Sequence, residues 1–308
     1  MIDPLAEVVT LLQLSAGHSK RVVGSGPWQV RRSEAGQPFY CVIIEGACRF
    51  ESEAHEPIEL RAGDFLLVPD AYDMAMSSLV TVPAGIPEAV PVAIATGEFR
   101  VGDPDGEADL RMLIGHCRFG SPDAALLVSL LPNVVHVRGE PRLATLVELV
   151  RDEFREQRPA RDVVLARLLE VLFIEALRSA AGTKASPGLA RALADERLAV
   201  TLRLMHEQPN RSWTVAQLAK EAALSRSAFF ERFQRAVGLA PMAYLLNWRM
   251  ALAKSLLRNG DQGITDIADR VGYGSASAFS VAFTRHVGVP PARYARGGND
   301  VAAAAETA

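Results

Sequence analysis

Arg226, Arg232, Arg235, Arg249 and Arg285 are gathered in the last third of this 308-residue chain, with Lys254, Arg258 and Arg293 around them. A guanidinium is always charged and presents its donors in a planar fork, so such a set suits neutralisation of phosphates. Contacts of that kind set affinity and salt dependence but carry no sequence information. The first half offers weaker chemistry. Cys41, Cys48 and Cys117 lack the close paired spacing of a zinc site and stand as an alternative, redox-responsive set. His18, His55, His116 and His136 are scattered singly, so no metal site, cofactor or catalytic residue is assigned. The expectation is a protein that is not an enzyme.

The elements that must position the arginines form a repeat. Leu218 and Ala219 answer Ile267 and Ala268; Ala222, Ala223 and Leu224 answer Val271, Gly272 and Tyr273. After one inserted residue, Phe229, Phe233 and Val237 answer Phe279, Phe283 and Val287, and the match runs on through Gly238/Gly288, Pro241/Pro291 and Tyr244/Tyr294. A repeat of this length is one structural unit used twice. Ala219 and Ala268 are small where a second helix must cross the first, and Ala223-Leu224 and Gly272-Tyr273 suit the turn of a helix-turn-helix, although Ala223 stands where glycine is usual. Thr214 with Gln217 predicts a capping box, and Ser225 and Ser275 predict N-caps. The stripes Phe229/Phe233/Val237 and Phe279/Phe283/Val287 are core, which leaves the opposite face of each second helix free for a groove. Between the copies, Pro241 to Arg258 reads as one helix closed by Asn259-Gly260. At 1.5 Å per residue it spans ~27 Å, enough to hold two helices near the ~34 Å of one DNA turn.

Net charge is −3, which by itself argues against a nucleic-acid binder. The mean conceals a division: residues 191–296 carry 15 Lys+Arg against 8 Asp+Glu, and residues 1–189 carry 18 against 26. A basic module joined to an acidic one suits a polyanionic partner for one part only. With 49% hydrophobic and 22% charged residues, the composition is that of an ordinary globular protein, and no run approaches the ~18 apolar residues of a membrane span. Ile2, Leu5, Val8, Val9 and Leu12 predict a short amphipathic helix and not a signal peptide, so the expected location is cytoplasmic, without a membrane partner.

Residues ~20 to 135 predict short strands and turns, hence a small barrel or jelly roll. Tyr40–Ile44 and Ala47–Phe50 flank Glu45-Gly46, read as a hairpin turn that would place Cys41 and Cys48 diagonally, ~7 Å or more apart. Arg111 to Phe119 is a further strand, and Pro83, Pro87 and Pro91 punctuate the stretch before it. Helical spacing over Leu143–Phe154 and Val164–Leu177, separated by Arg158-Pro159, predicts two helices, the second apolar on two faces. Residues 181–190 read as a linker and the tail from Gly297 as disordered.

The C-terminal ~100 residues resemble the AraC/XylS transcription regulators. The residues carrying this are Trp213 to Ala219, Leu224 to Phe229, Gly238 to Tyr244, Trp248 to Met250, Ile267-Ala268, Val271 to Tyr273 and Phe283 to Pro291. Asp3 to Leu5, Glu45-Gly46, Arg61 to Asp64 and Pro187 to Ala194 are similar to the branch with an N-terminal cupin-like domain. The resemblance implies an α+β multidomain fold: an effector-sensing cupin-like barrel over 1–140, a helical connector, possible dimerisation region and linker over 141–190, a DNA-binding domain with two helix-turn-helix motifs over 191–296, and a tail over 297–308. It implies base contacts from Ser227, Phe230 and Glu231 on the first recognition helix and from Ala276, Ser277, Ser280 and Val281 on the second. Neither helix presents an arginine there for bidentate contact with guanine. The implied partners are double-stranded DNA, RNA polymerase, an unidentified small-molecule effector and a second copy of the chain. Activation and repression stay open. The rival class is a cupin metalloenzyme with an accessory DNA-binding module. Against it, Tyr40 and Asp73 stand where related sequences carry metal-binding histidines.

Overall fold

The computed structural model describes residues 2–32, 37–53, 55–81, 88–121, 124–156, 158–180, 187–260 and 262–296. Pro83, Pro87, most of the expected linker and the expected disordered tail lie outside them. Among the described residues the chain divides into two compact units, residues 12–191 and residues 192–296 together with residues 2–11.

In the first unit the strands are β1 (Leu14–Ser25), β2 (Gln29–Arg32), β3 (Gln37–Glu45), β4 (Ala47–Ser52), β5 (His55–Arg61), β6 (Asp64–Ala71), β7 (Met74–Ser78), β8 (Val92–Ala95), β9 (Glu98–Gly102), β10 (Leu110–Phe119) and β11 (Val135–Arg138). They form a seven-stranded sheet ordered β11-β6-β3-β10-β1-β9-β8 and a four-stranded sheet ordered β2-β7-β4-β5. The β1–β9 pair is parallel and the other pairs are antiparallel. One apolar core contains Trp28, Phe39, Cys41, Cys48, Phe50, Leu66 and Met112, drawn from both sheets.

Glu45-Gly46 does not close a hairpin. Both edges of β3 are occupied, by β10 and β6, so β4 has no edge to pair with and joins the other sheet. Gly46 is the corner between the sheets. Its φ is +77°, and a Cβ there would stand 1.9 Å from the Asp109 carbonyl oxygen. The chain returns to the first sheet at Arg61 to Asp64, where Gly63 has φ +86° and Asp64 accepts from the Arg61 N–H at 3.1 Å. Cys41 and Cys48 therefore lie on strands of different sheets within one core, not as diagonal partners on one ribbon.

The helices of this unit are α2 (Ala124–Val128), α3 (Pro141–Arg155) and α4 (Arg161–Ala180). Helices α3 and α4 pack on each other and on β1, as two apolar faces on α4 predict. Leu165, Leu169, Leu172, Phe173 and Leu177 are buried, and Phe173 meets Phe119 edge-on at 6.3 Å. Leu149, Val163, Val164 and Val171 remain exposed. Pro187 to Ala190, the end of the expected linker, is held in place: the Leu189 N–H donates to the Leu130 carbonyl, and Gly188 lies against Pro132.

The second unit contains α1 (Pro4–Leu12), whose residues up to Leu11 group here, then α5 (Leu189–Leu193) at the boundary, α6 (Glu196–Glu207), α7 (Val215–Glu221), α8 (Arg226–Val237), α9 (Pro241–Asn259), α10 (Ile264–Arg270) and α11 (Ala276–Val287). A grouping that starts the first domain at residue 1 is thus not the one the contacts give. Asp3 caps α1 by accepting from the Leu5 and Ala6 N–H groups. Glu7 fastens α1 to α6: its carboxylate is 2.7 Å from His206 Nδ1, while His206 Nε2 is 2.7 Å from the Tyr244 hydroxyl. Burial holds the His206 pKa below its ordinary value, so the neutral ring donates to Glu7 and accepts from Tyr244. The same ring stacks on Trp248 at 3.9 Å.

The two glycine corners make the fold testable. Gly46→Ala combines a left-handed φ with a backbone clash and should destabilise the barrel by about 2–4 kcal/mol. Gly63→Ala has open space around its Cβ and should cost only about 1 kcal/mol. Urea unfolding of the two variants checks the order; equal losses would contradict the corner assignment.

Candidate nucleic-acid interface

Two short helices must cross at a fixed angle to make a groove-reading unit, and the local chemistry that fixes this angle is the same in both copies. At the first turn the Leu224 N–H donates to the Ala219 carbonyl at 2.9 Å, and at the second the Tyr273 N–H donates to Ala268 at 2.9 Å. The turn residues are left-handed in both copies: Ala223 at φ +51° and Gly272 at φ +83°. An alanine in this region is strained by its Cβ. Arg197 Nη1 donates to the Ala223 carbonyl at 3.0 Å, which holds the strained turn in place.

Each recognition helix then starts on a serine. Ser225 Oγ accepts from the Ala228 N–H at 3.3 Å, and Ser275 Oγ accepts from Ala278 at 3.1 Å. Thr214 and Gln217 form the expected capping box on α7, whereas α10 begins at Gly263 without a side-chain cap. Both recognition helices end on a left-handed glycine, Gly238 at φ +88° and Gly288 at φ +87°. The aromatic seats repeat as well. Phe229–Phe233 and Phe279–Phe283 lie 5.6 and 5.4 Å apart, and Tyr244 and Tyr294 meet Phe233 and Phe283 edge-on at 5.8 and 5.5 Å, each at 74°. The four phenylalanines and Val237 are buried, and Val287 is half-buried.

With one face so seated, the opposite face is wet. Ser227, Phe230 and Glu231 on α8 are exposed, and on α11 Ser277 and Val281 are exposed while Ala276 and Ser280 are half-buried. Phe230 and Val281 are 38% and 68% exposed, more than a folded core requires of apolar residues. The Ser280 hydroxyl donates to the Ala276 carbonyl at 2.7 Å, so only its lone pairs face outward.

The five arginines separate into two kinds. Arg226, Arg235 and Arg285 are exposed, and none pairs with a carboxylate among the described residues. Arg232 pairs with Asp195, the N-cap of α6. Arg249 is half-buried and donates from Nε to the Pro209 carbonyl at 2.7 Å and from Nη2 to the Arg211 carbonyl at 2.8 Å. A Cβ on Gly272 would stand 2.8 Å from Arg249 Nη2 and 2.9 Å from the Asn210 carbonyl oxygen. Arg249 thus clamps the loop before α7 against the turn of the second motif. Neither this clamp nor the Arg197–Ala223 contact has a sequence signal, because their partners are 23 to 40 residues away and all three acceptors are main-chain carbonyls.

In the barrel, burial raises all three thiols, Cys48 to about 12 and Cys41 and Cys117 well above the usual thiol range. The thiolate that reacts with oxidants is scarce in such surroundings. Tyr40 is buried with its ring against Gly115, and Asp73 pairs with Arg31 at 3.0 Å, so these positions are engaged in packing and in a surface ion pair. Among the described residues no three His, Cys, Asp or Glu side chains converge as metal ligands, and no helix is long and apolar enough to cross a membrane.

Opposite substitutions at the two turns should have opposite effects. Ala223→Gly relieves the left-handed strain and should raise thermal stability of the helical unit by up to about 1 kcal/mol. Gly272→Ala forces the clamp apart and should lower stability by about 2 kcal/mol. Differential scanning calorimetry distinguishes them, and a destabilising Ala223→Gly would refute the strain.

Comparison with known proteins agrees with this architecture. Residues 3–182 match the family described as Cupin, and residues 218–297 match a helix-turn-helix domain. An AraC-like transcription regulator of Streptomyces lividans is 34% identical over 300 residues, covering 95% of this chain and 98% of its own. Another of that description, from Streptomyces antibioticus, has the same identity and coverage. The crystal structure of ToxT from Vibrio cholerae aligns over 92% of this chain and 97% of its own at 14% identity, with a TM-score of 0.35. From the doubled motif, the two matched domains and the two Streptomyces relatives, the chain belongs to the AraC/XylS family of helix-turn-helix transcription regulators that carry a cupin-like domain at the N-terminus.

Proposed function

We propose that both recognition helices of one chain enter successive major-groove segments on one face of a duplex. The observation that carries this is the congruence of the two motifs: the same serine caps, the same aromatic seats and the same glycine ends, joined by the 19-residue α9. At 1.5 Å per residue that helix is about 28 Å long, close to one turn of DNA. The N-terminal ends of α8 and α11 offer Ser227 and Ser277 to base edges, with Phe230, Glu231 and Val281 behind them. Glu231 suits a cytosine amine and Val281 a thymine methyl. Ala276 and the outward lone pairs of Ser280 complete the second surface. The absence of arginine from these positions puts much of the binding energy on phosphates and on DNA shape. Arg226, Arg235 and Arg285 are the phosphate contacts in this account. Arg232 joins them only by exchanging Asp195 for a phosphate, and Arg249 acts by fixing the second motif.

The barrel is the regulatory part of this reading, without catalytic turnover, and the protein acts in the cytoplasm as a homodimer that presents its DNA-bound helices to RNA polymerase. The exposed Leu149, Val163, Val164 and Val171 of α3 and α4 support pairing through that surface.

A gel-shift titration on the DNA upstream of the protein's own gene, at 50 and 200 mM salt, tests the reading. A specific complex should form and weaken with salt. Arg226→Gln, Arg235→Gln and Arg285→Gln should each weaken binding to all sequences alike and flatten the salt slope by about 0.9. Glu231→Ala should instead change base preference at one position. Equal binding to random DNA would contradict the proposal.

A further inference from the structure

The helical unit holds a cavity of about 240 Å³, and none of its lining residues belongs to α8 or α11. Its buried lining is His206 of α6 and Trp248 of α9, and its apolar walls are the half-buried Ile2, Pro209 and Leu252. Glu7 of α1, Glu207 at the end of α6 and Arg270 at the end of α10 bring charge to it. An apolar lining with a few convergent polar groups is the usual make-up of a ligand site. Sites for drug-sized molecules begin near ~300 Å³, so this one takes a small guest.

The polar groups of this cavity are only partly matched. His206 spends both ring nitrogens, on Glu7 and Tyr244, and stacks on Trp248. Trp248 is 1% exposed, and its indole N–H is buried without an acceptor among the described residues. A buried donor left so is costly. Arg270 is exposed and pairs with no carboxylate among the described residues, although two carboxylates line the same cavity. Glu207 is exposed too; its Oε1 accepts from the Ile2 N–H at 3.3 Å, and it pairs with no Lys or Arg among the described residues. The cavity thus offers donors that want an acceptor, at Trp248 and Arg270, and a carboxylate that wants a cation, at Glu207. An anion alone would face Glu7 and Glu207, a cation alone would leave the indole and Arg270 unanswered, and a neutral apolar guest would meet neither need. A guest that carries both charges and an apolar side answers all of them.

We propose that this cavity binds a free α-amino acid with an apolar side chain: its carboxylate accepts from Arg270 and the Trp248 indole, its ammonium donates to Glu207, and its side chain lies against Ile2, Pro209 and Leu252. The walls connect the site to the second motif. The Pro209 carbonyl accepts from Arg249, and the neighbouring Asn210 carbonyl oxygen would stand 2.9 Å from a Cβ on Gly272. A bound amino acid therefore bridges the loop before α7 and the entry helix of the second motif. Any effect of this ligand on DNA rests on reading the two motifs as a DNA-binding pair; the binding does not.

Isothermal titration calorimetry of the full chain with L-leucine and L-phenylalanine tests the site, against glycine, L-leucinamide and 4-methylpentanoate, which lack the side chain, the carboxylate and the ammonium in turn. At least one of the two amino acids should bind, with each of the three controls weaker by roughly tenfold or more. Arg270→Gln and Glu207→Gln should each lower that affinity about tenfold, the loss of one charge-assisted hydrogen bond. Both positions are exposed, and glutamine at 207 keeps an acceptor for the Ile2 N–H, so both variants should melt with the parent. Leu252→Trp, at a half-buried wall, should block every probe; if it fails to fold, the two exposed variants decide the matter. No heat from either amino acid, equal affinity for any control, or unchanged affinity in either exposed variant would each overturn the proposal. A protein that shifts its upstream DNA but takes up no amino acid loses this site and keeps its DNA reading; one that binds the amino acid without DNA preference does the opposite.

Discussion

Phe233 and Phe283 are each met edge-on by a tyrosine from the segment that follows, and this contact, made twice, sets which face of each recognition helix stays wet. A helix of twelve residues is marginal by itself, so its orientation comes from packing. The aromatic pairs add directional preference to the burial that drives the packing. Tyr244 extends the constraint: its hydroxyl meets His206, which meets Glu7 and stacks on Trp248. One hydrogen-bonded line thus joins α1, α6 and α9 to the seat of the first recognition helix.

The two motifs share a backbone plan but not the chemistry that holds it. The first turn uses a strained alanine held by Arg197; the second uses glycine and packs so tightly that Arg249 leaves no room for a Cβ. The first entry helix has a capping box, whereas the second begins on bare glycine. The outward faces differ too. The first carries Phe230 and Glu231 with Arg226 and Arg235 beside them; the second carries Ser277 and Val281 with Arg285. Geometry is duplicated and the outward chemistry is not, so under the proposed reading the two helices suit two different half-sites.

Much of this was legible in the sequence because it rests on local signals. Ser225, Ser275, Thr214, Gly238 and Gly288 announce helix ends through short-range hydrogen bonds and left-handed backbone, and the phenylalanine spacing announces the buried stripe. The barrel's class was legible from its short strands, but its pairing was not. Tyr40 to Phe50 reads as a hairpin until one knows that β10 and β6 already occupy both edges of β3, a fact set by residues far along the chain. The roles of Arg232 and Arg249 were equally hidden, since a sequence shows a charge but not the Asp195 carboxylate or the Pro209 carbonyl that engages it.

The central claim is that a single chain reads DNA with two helices separated by about one turn. Hydroxyl-radical footprinting on a bound target, repeated after inserting five base pairs between the two protected segments, tests it most directly. The account predicts two protected segments on one face of the duplex about ten base pairs apart, and loss of one of them when the insertion rotates it half a turn away. One continuous or single protected segment, unaffected by the insertion, would contradict it.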